Sequence, residues 1–129
     1  MSRLLTVVSG VAAAAILTTG VAFACVPHVL SPSRPTAAAI AAAVRASPLT
    51  KQVPSDDYTV TGIRLSASDP AWAWVQLRPR VTTVGPADGI EHHTARGWKL
   101  AELGTFEVGC GLAPSRVLHD FGVACPPAP

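Results

Sequence analysis

The clearest alternation of apolar and polar positions lies between Tyr58 and Arg80. Every odd position from 71 to 77 is apolar, whereas the even positions from 72 to 78 hold tryptophan or polar residues. Because successive side chains of a strand point to opposite faces, this pattern predicts a strand with a buried odd face. The run YTVTGIRLS at 58–66 is rich in strand-forming residues, and the polar stretch that ends in Pro70 favours chain reversal. We therefore predict an antiparallel hairpin.

The first strand of this hairpin changes register at Gly62. Val60 belongs to the even register, whereas Ile63 and Leu65 belong to the odd one. An extra residue in a strand needs unusual backbone angles, which glycine adopts at little cost. The sequence therefore predicts a β-bulge at Gly62.

Trp72 and Trp74 lie on the even face of the second strand and form a flat aromatic platform. One interpretation is that a loop or the N-terminal helix covers both rings. The other is an exposed stacking surface for a sugar, a peptide or a lipid headgroup, since exposed aromatic patches often mark contact sites. Trp72 and Trp74 are therefore the candidate binding surface.

An alanine-rich stretch before the hairpin, TAAAIAAAVRA at 36–46, predicts a helix. Ile40 and Val44 lie one turn apart and give it a narrow apolar stripe that suits packing on a sheet. Ser33 or Thr36 can cap its first turn.

The remaining patterns complete a small domain over residues 36–129. The prolines and serines of 25–35 predict an extended linker before it. Beyond the hairpin we predict a short strand at 81–84, a turn at 85–89, a return strand at 90–94, a further strand at 97–105 continued by 106–108, and a short helix at 114–121. The predicted fold class is α+β, with the N-terminal helix packed on a three- to four-stranded antiparallel sheet and a disulfide-clipped C-terminal helix.

The length of 129 residues suits one domain, and the net charge of +2 is scattered along the chain. Phosphate binding requires clustered Lys and Arg, which the sequence does not contain, so we expect no nucleic-acid partner.

The first 24 residues have the pattern of a secretory signal peptide. Arg3 is followed by an uncharged stretch at 4–24, which ends in the small residues Ala22 and Ala24. An uncleaved membrane anchor is the alternative, because 21 uncharged residues can span a bilayer. We predict cleavage after Ala24 and a secreted, extracellular protein.

Such cleavage would make Cys25 the first residue of the mature chain, and bacterial lipoproteins begin with a lipidated cysteine. Ala24 fits the lipoprotein pattern, whereas Ala22 and Phe23 depart from it. Lipidation of Cys25 would leave Cys110 and Cys125 to pair, and it would anchor the protein to the outer face of the cytoplasmic membrane. Otherwise Cys25 is a free thiol, an intermolecular partner or one end of the single disulfide.

Candidate chemistry is sparse. Glu91 and His93 can share a strand face, but His92 points to the other one, and two ligands do not make a structural zinc site. We interpret this stretch as the polar end of a hairpin, and His28 has no ligand-like neighbour in the sequence. Cys110 with His119 as base is a thiol-enzyme alternative to the disulfide. We expect no catalytic residue, no metal and no cofactor.

The alanine-rich helix, YTVTGIRLS, the tryptophan-bearing strand, GWKLAELGT and VGCG with a later cysteine together resemble a family. These features, over residues 36–125, are similar to those of small uncharacterised secreted or cell-envelope proteins of high-GC actinobacteria. The resemblance implies export and a small α+β domain, and it implies no known reaction.

From these observations we expect a secreted, non-catalytic extracytoplasmic domain that binds or interacts through Trp72 and Trp74 or through the Cys110 loop. Its partner would be an unknown extracellular or envelope protein or a small molecule, and the membrane would be contacted only through a lipid on Cys25. The alternatives are a secreted peptidase inhibitor and a cell-envelope lipoprotein anchored through Cys25.

Overall fold

The protein contains an antiparallel sheet in which each strand pairs with the next one along the chain. The computed structural model describes residues 28–128 together with Ala15 and Gly20. Within this part of the chain the elements are β1 (Val29–Leu30), α1 (Arg34–Ala46), β2 (Tyr58–Ser66), β3 (Trp72–Pro79), β4 (Ala87–Thr94), β5 (Gly97–Gly104) and α2 (Ser115–Asp120). The spatial order of the strands is β1-β2-β3-β4-β5. Apart from Ala15 and Gly20, the predicted signal peptide at 1–24 lies outside the described residues, and so does Cys25.

The predicted α+β class with an antiparallel sheet is confirmed, but the described residues form five strands rather than three or four. The additional strand is β1, which lies within the predicted linker and pairs with the end of β2. Residues 81–84 form a turn instead of a strand, and the chain leaves the sheet after Gly104 instead of continuing through 106–108. A two-residue edge strand is too short to show alternation, which explains why the pattern missed β1.

Helix α1 packs on the odd face of β3, as its apolar stripe predicted. Ser33 caps the helix, because its Oγ accepts a hydrogen bond from the Thr36 N–H at 3.3 Å. Ile40 and Val44 are fully buried. They belong to a core that includes these buried residues of the sheet: Tyr58, Ala73, Val75, Leu77 and Leu100.

The predicted bulge in β2 is confirmed. The pairing of β2 with β3 shifts register between Thr61 and Arg64, and Gly62 has a φ of +58°. This left-handed backbone conformation is costly for residues that carry a Cβ. The bulge lets the apolar side chains of both halves of β2 face α1 despite the break in their alternation.

The C-terminal segment covers the opposite face of the sheet. Cys110 and Cys125 form the predicted disulfide, which closes a loop of 15 residues around α2. Such a loop closure is worth roughly 3 kcal/mol. Beneath it lies a second core: Trp72, Trp74, Ile90, Val108, Val117, Leu118 and Phe121. Among the described residues, no helix has the length and apolar character needed to cross a bilayer.

Replacing Gly62 by alanine should lower the free energy of unfolding by roughly 1–2 kcal/mol, because alanine is strained at positive φ. Its Cβ would also lie 2.5 Å from the Oε1 of Gln76, which would have to move. Urea unfolding followed by circular dichroism measures the change. Gly85→Ala is the matched control, since no atom lies within 4 Å of the added Cβ there, and it should change stability by less than about 0.5 kcal/mol. Equal effects of the two substitutions would contradict the role of the bulge.

Candidate metal site

The predicted aromatic binding surface is not available in the folded protein. Trp72 and Trp74 are only 7% and 6% exposed. The ring of Trp72 stacks on His92 at 4.2 Å, and Trp74 packs against Phe121 at 5.6 Å between ring centroids. The binding surface proposed from the sequence was therefore wrong. The covering element is the C-terminal segment, rather than the N-terminal helix, because α1 occupies the other face of β3.

Glu91, His92 and His93 do not form one site. His92 contacts Trp72 on the side covered by α2, whereas His93 packs against Trp98, with ring centroids 5.0 Å apart. The prediction that the adjacent histidines point to opposite faces is confirmed.

Glu91, however, is not part of a polar hairpin end, because its side chain is completely buried. It lies opposite Ala73 on β3 and Leu100 on β5, which both belong to the core under α1. Neither carboxyl oxygen has a hydrogen-bond partner among the described residues. Desolvation therefore raises the pKa of Glu91 from its ordinary 4.5 to about 8.

His28, His119 and Asp120 converge at the edge of the sheet that β1 forms. Each residue offers one potential ligand atom, and these three atoms lie within 4.8 Å of one another. The Nδ1 of His28 is 3.8 Å from the Oδ1 of Asp120. The two imidazole rings meet edge to face, with centroids 5.4 Å apart. Both histidines are exposed, whereas the side chain of Asp120 is 4% exposed.

Two elements that are far apart in the sequence position these side chains. His28 directly precedes β1, and its carbonyl oxygen accepts a hydrogen bond from the Ala67 N–H at 3.0 Å. His119 and Asp120 are the last residues of α2. The buried side chains of Val117 and Leu118 fix this helix on the sheet.

The helix can sit close to the sheet because Gly109 has no side chain. A Cβ at Gly109, where φ is +91°, would lie 2.8 Å from the Cδ2 of Leu118. The N–H of Gly109 donates a hydrogen bond of 2.6 Å to the Oε2 of Glu102 on β5. The segment before α2 is therefore held by backbone as well as by side-chain contacts.

Hydrogen bonds orient the Asp120 carboxylate. Its Oδ2 accepts a bond from the Oγ of Ser66 at 2.7 Å and one from the N–H of Ser68 at 2.8 Å. These two bonds hold the pKa of Asp120 below its ordinary value, and the bond from Ser66 has the larger effect. The other oxygen, Oδ1, faces His28. The carboxylate is thus charged at neutral pH and presents one oxygen toward the imidazoles.

This arrangement suits metal coordination better than nucleophilic catalysis. Ser66 is fully buried and donates directly to Asp120, so no imidazole stands between the hydroxyl and the carboxylate as a catalytic triad requires. Cys110 is not a free thiol, because it is bonded to Cys125. Two imidazoles and a carboxylate are a common set of zinc ligands, and hydrogen bonds to the carboxylate are typical support for such a set.

The distances are compatible with closure onto one ion. Donor atoms about 2.1 Å from a shared zinc ion lie roughly 3 to 4 Å from one another. The exposed histidines can cover the remaining distance by side-chain rotation, while Asp120 stays fixed by Ser66 and Ser68.

The sequence did not reveal this cluster. We expected no ligand-like neighbour for His28, but β1 places it beside α2. The only sequence signal of this cluster was the adjacent pair His119 and Asp120, and such a pair is equally compatible with the end of a short helix.

No family model matches the chain, and neither the curated proteins nor the solved structures contain a significant match to it.

The burial of Glu91 predicts an unusual pH dependence of stability. Its folded-state pKa is raised because burial disfavours the charged form, so the cost of burying Glu91 is smallest below about pH 4.5 and grows as the pH rises toward 8. Relative to Glu91→Gln, the native protein should lose roughly 3 kcal/mol of unfolding free energy between about pH 5 and pH 7.5. Urea unfolding at a series of pH values measures this difference.

A second substitution distinguishes the effect of the charge of Glu91 on stability from the effect of burying any polar group there. Glu91→Leu removes the carboxyl group entirely and should be more stable than the native protein at pH 7.5, because the uncompensated buried group is gone. Parallel pH profiles for the native protein and Glu91→Gln would show that the carboxyl is not buried in solution.

Proposed function

We propose that this protein is a non-catalytic, exported binding domain that holds a divalent transition metal ion through His28, His119 and Asp120. The observation that carries the proposal is the convergence of their ligand atoms within 4.8 Å. Imidazole nitrogens favour Zn²⁺, Cu²⁺ or Ni²⁺, whereas Ca²⁺ and Mg²⁺ prefer oxygen ligands. The exposure of both histidines leaves the ion accessible from solvent.

The groups around the ligands support binding rather than reaction. Ser66 and Ser68 both donate to Asp120, and Arg116 lies 3.4 Å from Asp69. These contacts join α2 to the turn between β2 and β3. The polar groups next to the site are therefore engaged in holding the ligands in place.

Export is the second part of the proposal. It is supported by the signal-peptide pattern at 1–24 and by the disulfide between Cys110 and Cys125, since disulfides persist mainly in oxidising compartments. A lipid on Cys25 would keep the domain on the outer face of the cytoplasmic membrane, and without it the domain is secreted. A metal site on an exported domain would meet metal ions outside the cell.

Isothermal titration calorimetry tests the metal site directly. Purified protein carrying Cys25→Ser, so that no free thiol competes, should bind one Zn²⁺ or Cu²⁺ ion per chain. His119→Ala and His28→Ala should each weaken binding by at least about tenfold, because each removes one of three ligands. The electron paramagnetic resonance spectrum of bound Cu²⁺ should show two nitrogen donors, and one after either substitution.

His93→Ala is the matched control, because His93 is also exposed but lies on β4 beside Trp98. It should leave the affinity unchanged. Thermal unfolding of each variant verifies that the fold is intact, since substitution of an exposed histidine changes stability by less than about 0.5 kcal/mol. Equal weakening by His93→Ala, or no binding by the native site, would refute the proposal.

The intact mass of the mature protein from its native host tests export and anchoring. We expect a chain that begins at Cys25 and loses one disulfide on reduction, because the other two cysteines are bonded. Added diacylglycerol mass would identify a lipoprotein, and an unmodified mass would identify a secreted domain. A mass that still includes residues 1–24 would contradict export by cleavage.

A further inference from the structure

Strand β1 is weakly attached to the domain. It consists of Val29 and Leu30, which pair with Ser66 and Leu65 at the edge of the sheet. Leu30 is 39% exposed and Val29 is only partly buried against the second core, so the apolar contact that holds the strand in place is small. An edge strand of two residues gains few ladder hydrogen bonds and is expected to open more readily than the centre of the sheet.

The proposed ligands lie on both sides of this weak attachment. His28 belongs to the segment that leads into β1, whereas His119 and Asp120 belong to α2. The disulfide and the second core fasten α2 to the sheet. A metal ion held by all three side chains would therefore connect a loosely held segment to a firmly held one.

We infer that metal binding fastens β1 onto α2. This inference rests on the proposed metal site and adds a consequence of its occupancy. Opening of β1 would remove His28 from the ion, so the free energy of the lost metal bond is added to the cost of opening. If Cys25 carries a lipid, the ion would fix the domain close to its membrane tether, because Cys25 precedes His28 by only three positions.

Linkage sets the size of the effect. The coupling between metal binding and attachment of His28 is reciprocal, so each stabilises the other by the same factor. At saturating metal, opening of β1 should therefore be suppressed by about the factor by which His28→Ala weakens metal affinity. A tenfold loss of affinity therefore predicts an about tenfold smaller population of molecules with β1 open.

Amide hydrogen exchange measured by nuclear magnetic resonance tests the inference. The probe is the N–H of Ala67, which donates to the carbonyl oxygen of His28 and is released when β1 opens. Protein carrying Cys25→Ser is compared with and without Zn²⁺ at about 100 times the dissociation constant. Exchange at Ala67 should slow by at least about tenfold. The N–H of Arg96, in the turn between β4 and β5, should exchange at the same rate in both samples.

The variant His28→Ala provides the decisive comparison. Measured with Zn²⁺ at about 100 times its own dissociation constant, it should show no slowing at Ala67, because its metal no longer holds β1. If Zn²⁺ slows exchange at Ala67 as much in this variant as in the protein that retains His28, the inference is overturned. Unchanged exchange at Ala67 in a protein that binds Zn²⁺ through both histidines would also overturn it, although the proposed metal site would then stand. Failure to bind Zn²⁺ at all would remove both.

Discussion

The burial of β3 on both of its faces is the constraint on which the rest of the structure depends. Its odd side chains, Ala73, Val75 and Leu77, lie under α1, while Trp72 and Trp74 lie under the C-terminal segment. A central strand covered on both sides needs two separate covering elements, and a small domain contains few helices that can serve as such elements. The six residues of α2 cannot form a stable helix alone, so the disulfide and the indole rings hold that helix in place.

The same arrangement creates the proposed metal site. Because α2 lies across the face of the sheet that carries the tryptophans, its last turn lies next to the turn between β2 and β3. There Ser66 and Ser68 donate hydrogen bonds to Asp120. These bonds join the helix to the sheet and at the same time orient a carboxylate toward His28. Packing and ligand geometry thus have one cause, and charge-assisted bonds of this kind contribute about 1.5–3 kcal/mol each to stability.

Glu91 departs from the regularities that the rest of the core obeys. A strand position opposite Ala73 and Leu100 should hold an apolar residue, yet it holds a carboxyl whose oxygens have no partner among the described residues. Burial without a hydrogen bond costs free energy whether or not the group is charged, and the raised pKa reflects how strongly the charged form is disfavoured. Real proteins violate local rules at few positions, and Glu91 is such a position here.

Local pattern in the sequence determined the α+β class, the hairpin, the bulge at Gly62, the apolar stripe of α1 and the pairing of Cys110 with Cys125 as one of its options. These features depend on residues close in the chain or on a small number of choices, so alternation, helix propensity and cysteine count suffice. Only the tertiary structure decided which element covers Trp72 and Trp74, that Glu91 is buried, and that His28 meets His119 and Asp120. Those outcomes depend on how α1 and the segment that contains α2 pack on opposite faces of one sheet, and long-range packing leaves no periodic trace in the sequence.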